Sequence, residues 1–492
     1  MYYPSLEQYQ EWSVSSKVIP VSYEMNADTE TPISLFKKFS TDQYCYLFES
    51  VEGGERWARY SFMGRKPLSI FKTVNGNTSI QMYNEEKRVN KNPIKILKEL
   101  LEQLKSRTFS HLPRFYGGVV GYFSYDFVRY YENIEDKNMD EIGLPDCHLI
   151  IPEEVVVFDH LKQKIYIIVN TIPQYRQNVY NVYNEAIKKI DNIISELSVE
   201  ATSSRKLKND IAKANIEFSC SVSKEQFCSN VKKAKQYIKD GDIFQVVLSQ
   251  RLKSRYDGDP FDVYRILRTL NPSPYMYFLK FDDYSIAGAS PEMLVRVEQG
   301  VVETCPIAGT RPRGKSAEED EVLADELLKD EKEIAEHIML VDLGRNDVGR
   351  VCEFGSVKAE NLMHIEKYSH VMHMVTNVQG ILRKDKSPVD VLTGLLPAGT
   401  VSGAPKVRAM EIIEEIENLK RGVYAGAIGY IGFDGNLDTC IAIRTAIFRQ
   451  GYVYVQAGAG IVADSIPEKE YEETLNKAQA LISAVKKAGG AV

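Results

Sequence analysis

The feature that most constrains the fold is the arrangement of apolar, strand-forming segments in pairs around short turns. Residues 424–433 and 437–448 flank Asp434-Gly435, a dipeptide typical of two-residue hairpins. Residues 155–158 and 164–169 form a second pair, and residues 44–50 and 57–64 form a third around Gly53-Gly54. Strands that come in hairpins favour antiparallel pairing. The sequence therefore predicts an α+β fold with mainly antiparallel sheets.

Helical patterns separate these pairs, and one stretch lacks any apolar pattern. We expect helices over residues 180–197, 224–240, 317–340 and 467–487, the third opened by Ser316 with Glu319 in capping-box spacing. The chain has 492 residues, and a single core stops growing near about 250–300 residues. The sequence therefore predicts an N-terminal domain over 1–200, a linker over 201–218 and a second domain over 219–492.

Charge and cysteine usage exclude several classes of partner. The formal net charge of −7 gives no overall attraction for nucleic acid. The first residues lack a basic and then apolar signal, and no apolar run reaches the roughly 18 residues of a membrane span. The seven cysteines include no Cys-x-x-Cys pair, which indicates reduced thiols. We expect a cytoplasmic protein that binds neither nucleic acid nor membranes.

Residues 309–316 match the nucleotide-binding pattern G-x-x-x-x-G-K-S letter for letter. Such a loop aims successive backbone N–H groups at phosphates, and Pro312 has none. The flanking segments also form hairpins rather than alternating strands and helices. We therefore expect no nucleotide site here.

Two pairs of glutamates suggest a metal site. Glu333 and Glu336 lie three residues apart on one predicted helix, and Glu470 and Glu473 on another, so each pair shares a helix face. Carboxylate oxygens are the ligands that Mg²⁺ prefers. Most pairs with this spacing are solvated helix faces, so the spacing alone leaves both readings open.

Three segments suggest anion binding. Residues 397–405 form a glycine-rich loop before a helix, whose free N–H groups attract anions. Residues 457–460 end a strand with two glycines, and Arg444 lies in an otherwise apolar segment. Packing glycines and an edge-strand arginine remain equally compatible. His370 and His373 are three apart, and a structural, catalytic or metal role stays open for them.

The motifs of the second half, taken together, resemble those of the chorismate-utilising enzymes across residues 225–487. The matching motifs are Ser290-Pro291-Glu292, Pro306-Ile307-Ala308-Gly309-Thr310, Glu336-His337, Asp342-Leu343-Gly344-Arg345-Asn346-Asp347, residues 368–373, residues 399–406 and Asn476-Lys477-Ala478. The resemblance implies two orthogonally packed, mainly antiparallel sheets flanked by helices, with interleaved domains. It also implies chorismate as the substrate.

Two positions indicate which branch of the family the chain resembles. Branches that use water carry a lysine base where this chain has Gln245, and aminodeoxychorismate synthases carry a lysine nucleophile where it has Ala308. An amide is no base at neutral pH, and alanine has no nucleophile. The resemblance thus implies the anthranilate synthase reaction with ammonia, which begins tryptophan biosynthesis. Aminodeoxychorismate synthase and a catalytically silent regulatory homologue are the alternatives.

The resemblance also implies a role for individual residues. Glu336 and Glu473 would bind Mg²⁺ directly, and Glu333 and Glu470 through water. Glu292 would be the general acid, with His373 beside the leaving group. The residues implied in catalysis and substrate binding are Glu292, His373, Thr310, Gln245, Ala308, Gly309, Thr400, Tyr424, Arg444, Ala457, Gly458, Gly460 and Lys477.

The first half resembles the large subunits of anthranilate synthases, which are inhibited by tryptophan. Residues 47–50, Leu-Phe-Glu-Ser, and residues 271–276, Asn-Pro-Ser-Pro-Tyr-Met, are similar to their two inhibitor-binding segments. The implied tryptophan site comprises Glu49, Ser50, Pro274, Tyr275, Met276 and Cys440. No cysteine has the sequence context of a glutaminase nucleophile, so we expect a hetero-oligomer with a separate glutamine amidotransferase subunit.

Overall fold

The fold is α+β with antiparallel pairing between all strands in the part of the chain described here. The structure is a computed structural model that describes residues 2–50, 59–82, 85–173, 178–198, 216–368 and 371–490. The strands, numbered β1 to β23 in chain order, are Tyr2–Tyr3, Ile19–Asn26, Cys45–Glu49, Tyr60–Val74, Asn77–Met82, Glu85–Val89, Gly118–Phe123, Cys147–Asp159, Lys164–Thr171, Ser219–Cys220, Gln245–Arg255, Tyr275–Lys280, Tyr284–Ser290, Met293–Glu298, Val301–Thr304, Ile307–Pro312, Lys358–Lys367, Val371–Ile381, Gly403–Ala404, Ala427–Gly432, Leu437–Ile441, Thr445–Arg449 and Tyr452–Ile461.

Helices cover these strands, and the predicted fold class is confirmed. The α-helices, numbered α1 to α11, are Leu6–Ser13, Pro32–Phe39, Pro93–Leu104, Val179–Ser198, Lys224–Lys239, Pro260–Leu270, Ala317–Leu327, Glu331–Gly349, Pro388–Leu395, Lys406–Ile416 and Pro467–Ala488. Tyr125–Tyr130 and Gly399–Val401 form short 3-10 helices.

Two long strands, β4 and β8, each belong to two sheets. Residues 60–65 of β4 pair with residues 154–159 of β8 and lie beside β3. After a register shift between Pro67 and Ser69, residues 69–73 of β4 pair with residues 147–151 of β8 and lie beside β5. Strands that bend from one sheet into the next form the corners of orthogonally packed sheets. The predicted two-sheet arrangement is thus built around shared strands.

Each sheet combines strands from both halves of the chain. In the first sheet β3 pairs with β12, and the order continues through β13, β22, β23 and β11. In the second, β7 pairs with β20, followed by β21, β14, β15 and β18. Most of the predicted linker lies outside the described residues, so its position and the domain boundary stay predictions.

Two hydrophobic clusters hold these layers together. One contains side chains from both sheets, such as Tyr277 and Val295, together with α3, α9 and α10. The other packs α1, α2, α4, α6 and α11 against the first sheet. Fully buried apolar side chains contribute roughly 1.5–3 kcal/mol each, and these clusters fix the strand ends on which the functional side chains lie.

Two sequence predictions of element bounds were wrong. The helix expected over residues 317–340 is two helices, α7 and α8, because the Asp330 side chain accepts hydrogen bonds from the backbone N–H groups of Lys332 and Glu333 and starts a new helix. The strand expected over residues 437–448 is broken at Arg444, whose φ of 49° is left-handed. Its two parts, β21 and β22, belong to different sheets.

The segment that resembles a nucleotide loop is extended. Residues 307–312 form β16, and the Gly314 N–H donates to Asp320 Oδ1 at 2.7 Å. This backbone N–H is therefore satisfied within the protein. The predicted turn at Gly53-Gly54 and His370 lie outside the described residues.

Candidate active site

A cavity of about 260 Å³ lies where β16, β18, β23 and the start of β22 meet the loop before β12. Most of the side chains predicted for catalysis and substrate binding line it. These are Glu292, Ala308, Thr310, His373, Thr400, Tyr424, Arg444, Ala457, Gly458, Gly460 and Lys477. We call this space the main cavity.

The Glu292 carboxyl is the most strongly tuned acid of the main cavity. Thr400 Oγ1 donates a hydrogen bond to Glu292 Oε1 at 2.8 Å. Burial raises the pKa of Glu292 to about 7, against the opposing effects of that hydrogen bond and of the charges of Lys477 and Arg444. A carboxyl tuned in this way is protonated in about half of the molecules at neutral pH and can act as a general acid.

His373 projects from β18 into the same space as a neutral ring. Its Nδ1 lies 3.2 Å from the Gly309 carbonyl oxygen and 3.0 Å from Thr310 Oγ1. Burial lowers the pKa of His373. Because a carbonyl only accepts, the Nδ1 atom carries the proton and Nε2 is left as an acceptor. Gly309 does not line the main cavity, but its carbonyl contacts the site through this hydrogen bond with His373.

The glycines of β23 allow polar side chains to approach the backbone. A Cβ atom at Gly458 would lie 2.6 Å from the Tyr424 hydroxyl, and one at Gly460 would lie 2.6 Å from Gln245 Nε2. Lys477, on α11, donates from Nζ to the Gly458 carbonyl at 3.1 Å. Gln245 is buried and sits behind Gly460 instead of lining the cavity.

Arg444 reaches the main cavity because the chain crosses between sheets at this residue. Its left-handed backbone is a conformation that non-glycine residues adopt at a cost, and such residues concentrate at functional sites. Nη1 donates to Asn271 Oδ1 at 3.3 Å. Burial lowers the pKa of Arg444 and the charge of Glu292 raises it, so the guanidinium is partly desolvated and close to the acid.

The four predicted metal ligands lie on α8 and α11, beside the main cavity. The pKa of Glu336 is raised by burial and then by the charges of Glu333 and Glu473, and the pKa of Glu470 is raised by burial and by Glu473. The two helices thus bring their acids near each other. In the described parts of the chain, however, no three metal-binding side chains converge as a metal site would require.

The acids are partly occupied by cations of the protein itself. Glu473 Oε1 lies 2.7 Å from Lys477 Nζ, and Glu333 Oε1 lies 3.6 Å from Arg311 Nη1. An all-carboxylate set suits a hard cation such as Mg²⁺. The carboxylate ligands therefore fit the predicted Mg²⁺. Glu473 would have to give up its ion pair with Lys477 to bind the ion.

Sequence reasoning missed several residues of the main cavity. Gln456 lines it from β23, where its Oε1 accepts from Arg251 Nε at 3.1 Å and its Nε2 donates to Ser249 Oγ at 2.9 Å. The alternation of a strand puts residues 456, 458 and 460 on one face, so the period of two could have identified it. Asn271, Pro272 and Ser273 also line the cavity, although sequence comparison assigned them only to inhibitor binding.

A second cavity, the inhibitor cavity, contains all the residues predicted for tryptophan. It is lined by Glu49, Ser50, Pro274, Tyr275, Met276 and Cys440, together with Phe48, Tyr60, Phe62, Arg114, Tyr277, Ile428, Gly429, Tyr430 and Asp438. Pairing of β3 with β12 places Glu49 directly opposite Met276, which unites the two distant segments.

Charges in the inhibitor cavity are paired within the protein. Glu49 accepts from the Tyr264 hydroxyl at 2.6 Å and lies 3.1 Å from Arg268 Nε. Tyr275 donates to Asp438 Oδ1 at 2.9 Å, and Arg114 lies 3.4 Å from Asp438 Oδ2. Pro274 lines both cavities and forms a shared wall.

Comparison with known proteins agrees with this geometry. The model of the chorismate binding enzyme family matches residues 44–483. The chain belongs to the chorismate-binding enzyme family. A protein of Acetivibrio thermocellus named anthranilate synthase component 1 is 56% identical over 498 aligned residues, covering 99% of each chain. A protein of Aquifex aeolicus with the same name is 49% identical and covers 98% of this chain and 97% of its own.

A solved structure extends the comparison to the fold. Anthranilate synthase component I of Streptococcus pneumoniae superposes with a TM-score of 0.79 at 41% identity, covering 93% of this chain and 99% of its own. The family and the fold predicted from the sequence are therefore confirmed, and this chorismate-binding enzyme groups with proteins named anthranilate synthase component 1. Within the described residues, no helix is long and apolar enough to cross a membrane.

Proposed function

We propose that this chain is the large subunit of an anthranilate synthase, a lyase that converts chorismate and ammonia into anthranilate and pyruvate. The full-length match to proteins named anthranilate synthase component 1 carries this proposal. The residues agree, because Ala308 in the cavity lining offers no nucleophile and Gln245, which lies behind Gly460, offers no base that could activate water. Ammonia is the nucleophile that remains.

Glu292 is the proposed general acid. Ammonia adds to the ring while the 4-hydroxyl leaves, and the departing oxygen needs a proton to become water. A carboxyl with a pKa of about 7 can give that proton near neutral pH and take one back from the new ammonium group. The neutral His373 ring accepts a hydrogen bond at Nε2 beside the leaving group. Elimination of pyruvate then makes the ring aromatic.

The substrate carboxylates are held by the basic groups and backbone of the main cavity. Arg444 and Lys477 supply positive charge, and Thr400 and Tyr424 supply hydroxyl donors. The backbone of residues 458–460 can approach the ligand closely because it carries no side chains at Gly458 and Gly460.

Mg²⁺ is the proposed cofactor, with Glu336 and Glu473 as direct ligands and Glu333 and Glu470 acting through water. Support comes from the mutual effect of these carboxylates on each other's pKa, which a bound cation would relieve. When bound, the ion orients the substrate carboxylate and neutralises its charge.

A separate glutamine amidotransferase is the proposed partner and ammonia source, as a component 1 name implies a second component. Tryptophan is the proposed inhibitor. The inhibitor cavity offers aromatic walls for an indole and the Glu49 and Ser50 polar groups for an amino-acid headgroup. We also propose a cytoplasmic location, consistent with seven free cysteines.

Product analysis tests the proposal. The purified chain is incubated with chorismate, ammonium and Mg²⁺, and products are identified by mass spectrometry. Anthranilate and pyruvate in equal amounts are expected, with less of both after addition of EDTA. Aminodeoxychorismate or isochorismate would show that Ala308 and Gln245 do not determine the nucleophile, and no turnover of any kind would indicate a silent homologue.

A further inference from the structure

A third cavity lies on the far side of the Glu292–Thr400 hydrogen bond. Glu292 and Thr400 line both this space and the main cavity, so their hydrogen bond forms the wall between the two. The remaining lining comes from β14, the end of β15 and the two residues after it, α8, the end of α9 with the loop that follows, and Ile441 of β21. We call it the rear cavity.

The size of the rear cavity decides what can occupy it. Its volume of about 40 Å³ is far smaller than that of the main cavity, at about 260 Å³. A water-sized molecule needs about 10–15 Å³ measured in this way. The rear cavity therefore has room for about three water-sized molecules.

The polar groups of the rear cavity favour an occupant that donates a hydrogen bond. Asp347 lines the rear cavity and is 4% exposed. Its Oδ2 lies 2.5 Å from Lys406 Nζ, and the Asn346 side chain also acts on the carboxylate as a hydrogen-bond donor that lowers its pKa, but the buried Oδ1 has no partner within 3.5 Å among the described residues. A buried carboxylate oxygen without a donor is costly, so a small molecule that donates a hydrogen bond is favoured at this point.

The charge balance favours a neutral occupant. Lys406 already neutralises Asp347 and also donates to the Leu395 carbonyl at 3.2 Å. Leu294, Leu340 and Leu343 supply apolar walls, which disfavour an unpaired cation. A small neutral donor is either water or ammonia, and ammonium would place a second cation beside Lys406.

We propose that the rear cavity is an ammonia-binding site in which Asp347 Oδ1 receives a hydrogen bond from ammonia next to Glu292. This inference rests on the proposed function, since it assumes that ammonia is the nucleophile. Asp347 acts as a binding residue for the nucleophile, and Lys406 acts as a positioning residue that fixes the Asp347 carboxylate. Ammonia held there lies across the Glu292–Thr400 hydrogen bond from the main cavity.

The first test removes the buried pair. The double substitution Asp347→Leu with Lys406→Met replaces it by apolar side chains of similar volume, a change that cores often tolerate. The full chain is assayed with ammonium chloride over a range of pH, and rates are expressed against free ammonia. The KM for ammonia is expected to rise at least about tenfold, as for loss of one hydrogen bond to a charged group. The KM for chorismate stays within about twofold.

A milder pair of variants keeps the proposal testable if the double variant does not fold. Gly344 and Gly349 lie on the same helix, α8. A Cβ at Gly344 would lie 3.2 Å from Pro306 Cγ at the rear cavity, whereas one at Gly349 would meet nothing within 4 Å. Gly344→Ala is expected to raise the KM for ammonia a few-fold, and the matched control Gly349→Ala is expected to leave it unchanged.

The outcomes separate this inference from the proposed function. If the wild-type chain forms no anthranilate, the proposed function itself fails. If it forms anthranilate but the folded variants keep the wild-type KM for ammonia, the rear cavity holds water and the inference is overturned. Parallel changes in the KM for ammonia and for chorismate would also overturn it, because they would show a general structural effect.

Discussion

The main cavity and the inhibitor cavity share Pro274 as a wall but treat charge in opposite ways. In the inhibitor cavity Glu49 and Asp438 are paired with arginines. In the main cavity Glu292 and Arg444 form no ion pair with any described residue, and the pKa of Glu292 is raised to about 7. The comparison teaches that a site for chemistry can keep an acid and an arginine outside ion pairs, while the charges of a neighbouring site are paired within the protein before anything binds.

The largest expected effect is loss of the acid of the main cavity. Glu292→Gln keeps the shape and the hydrogen bond from Thr400 but removes the proton donor. Its kcat with ammonium is expected to fall about 10²–10⁴-fold, the usual contribution of general acid catalysis. Steady-state kinetics check this, with Glu298→Gln, an exposed acid at the far end of β14, the strand that follows Glu292, as the control. A loss below about tenfold would assign the acid role elsewhere.

The pH dependence gives the next effect. Because the pKa of Glu292 is raised to about 7, the group is protonated below that pH and loses its proton above it. With the concentration of free ammonia held constant, kcat/KM for chorismate is therefore expected to be level below pH 7 and to fall about tenfold per pH unit above it. Tryptophan affinity, measured over the same pH range, should lack this decline. A rate that rises through this range would mean that the ionised carboxylate is the active form.

Arg444→Lys tests whether the unpaired cation of the main cavity serves the substrate. Lysine keeps the charge but loses the planar fork that binds carboxylates through two hydrogen bonds. The KM for chorismate is expected to rise about tenfold, with little change in tryptophan affinity. Equal losses of affinity for chorismate and for tryptophan would show that the substitution distorts Pro274, the wall that the main cavity and the inhibitor cavity share.

Glu49→Gln is the corresponding change in the inhibitor cavity. An amide oxygen can still accept from the Tyr264 hydroxyl, so the fold should persist. The concentration of tryptophan needed for half inhibition is expected to rise about tenfold or more, while kcat stays within about twofold. Retained inhibition would remove Glu49 from the inhibitor site.

The smallest expected effect concerns the shared wall itself. Pro274→Ala changes the residue that, among those the structure describes, lines both cavities. We expect tryptophan to bind within a few-fold of its normal affinity but to inhibit less completely, because the contact through Pro274 that connects the inhibitor cavity to the main cavity is weakened. Inhibition curves carried to saturation measure the residual rate, and complete inhibition at saturation would place the link elsewhere.

Local signals predicted much of this architecture. The Asp434-Gly435 hairpin and the Gly458–Gly460 strand follow from turn chemistry and from close backbone approach. The break at Arg444 did not follow, because its left-handed backbone arises where the chain passes between two sheets. Asp330 was missed because an apolar periodicity continues across the new helix start.

The pairs that join distant segments were also beyond local reasoning. Lys406 and Asp347 lie 59 residues apart, and only folding brings them together behind Glu292. The two sheets share β4 and β8 because each strand bends, which a period of two does not reveal. Resemblance supplied what spacing could not, namely the grouping of Glu49 with Pro274 and Cys440.

The most direct test of the two-cavity account uses Glu292→Gln, which should bind chorismate without consuming it. Calorimetry measures tryptophan binding to this variant, with Mg²⁺ present, at increasing chorismate concentrations. The account predicts that chorismate weakens tryptophan binding by a finite factor and that tryptophan weakens chorismate binding by the same factor, as linkage between two sites requires. Weakening that continues without limit as chorismate increases would mean that both ligands compete for one cavity, and the account of two separate sites would be contradicted.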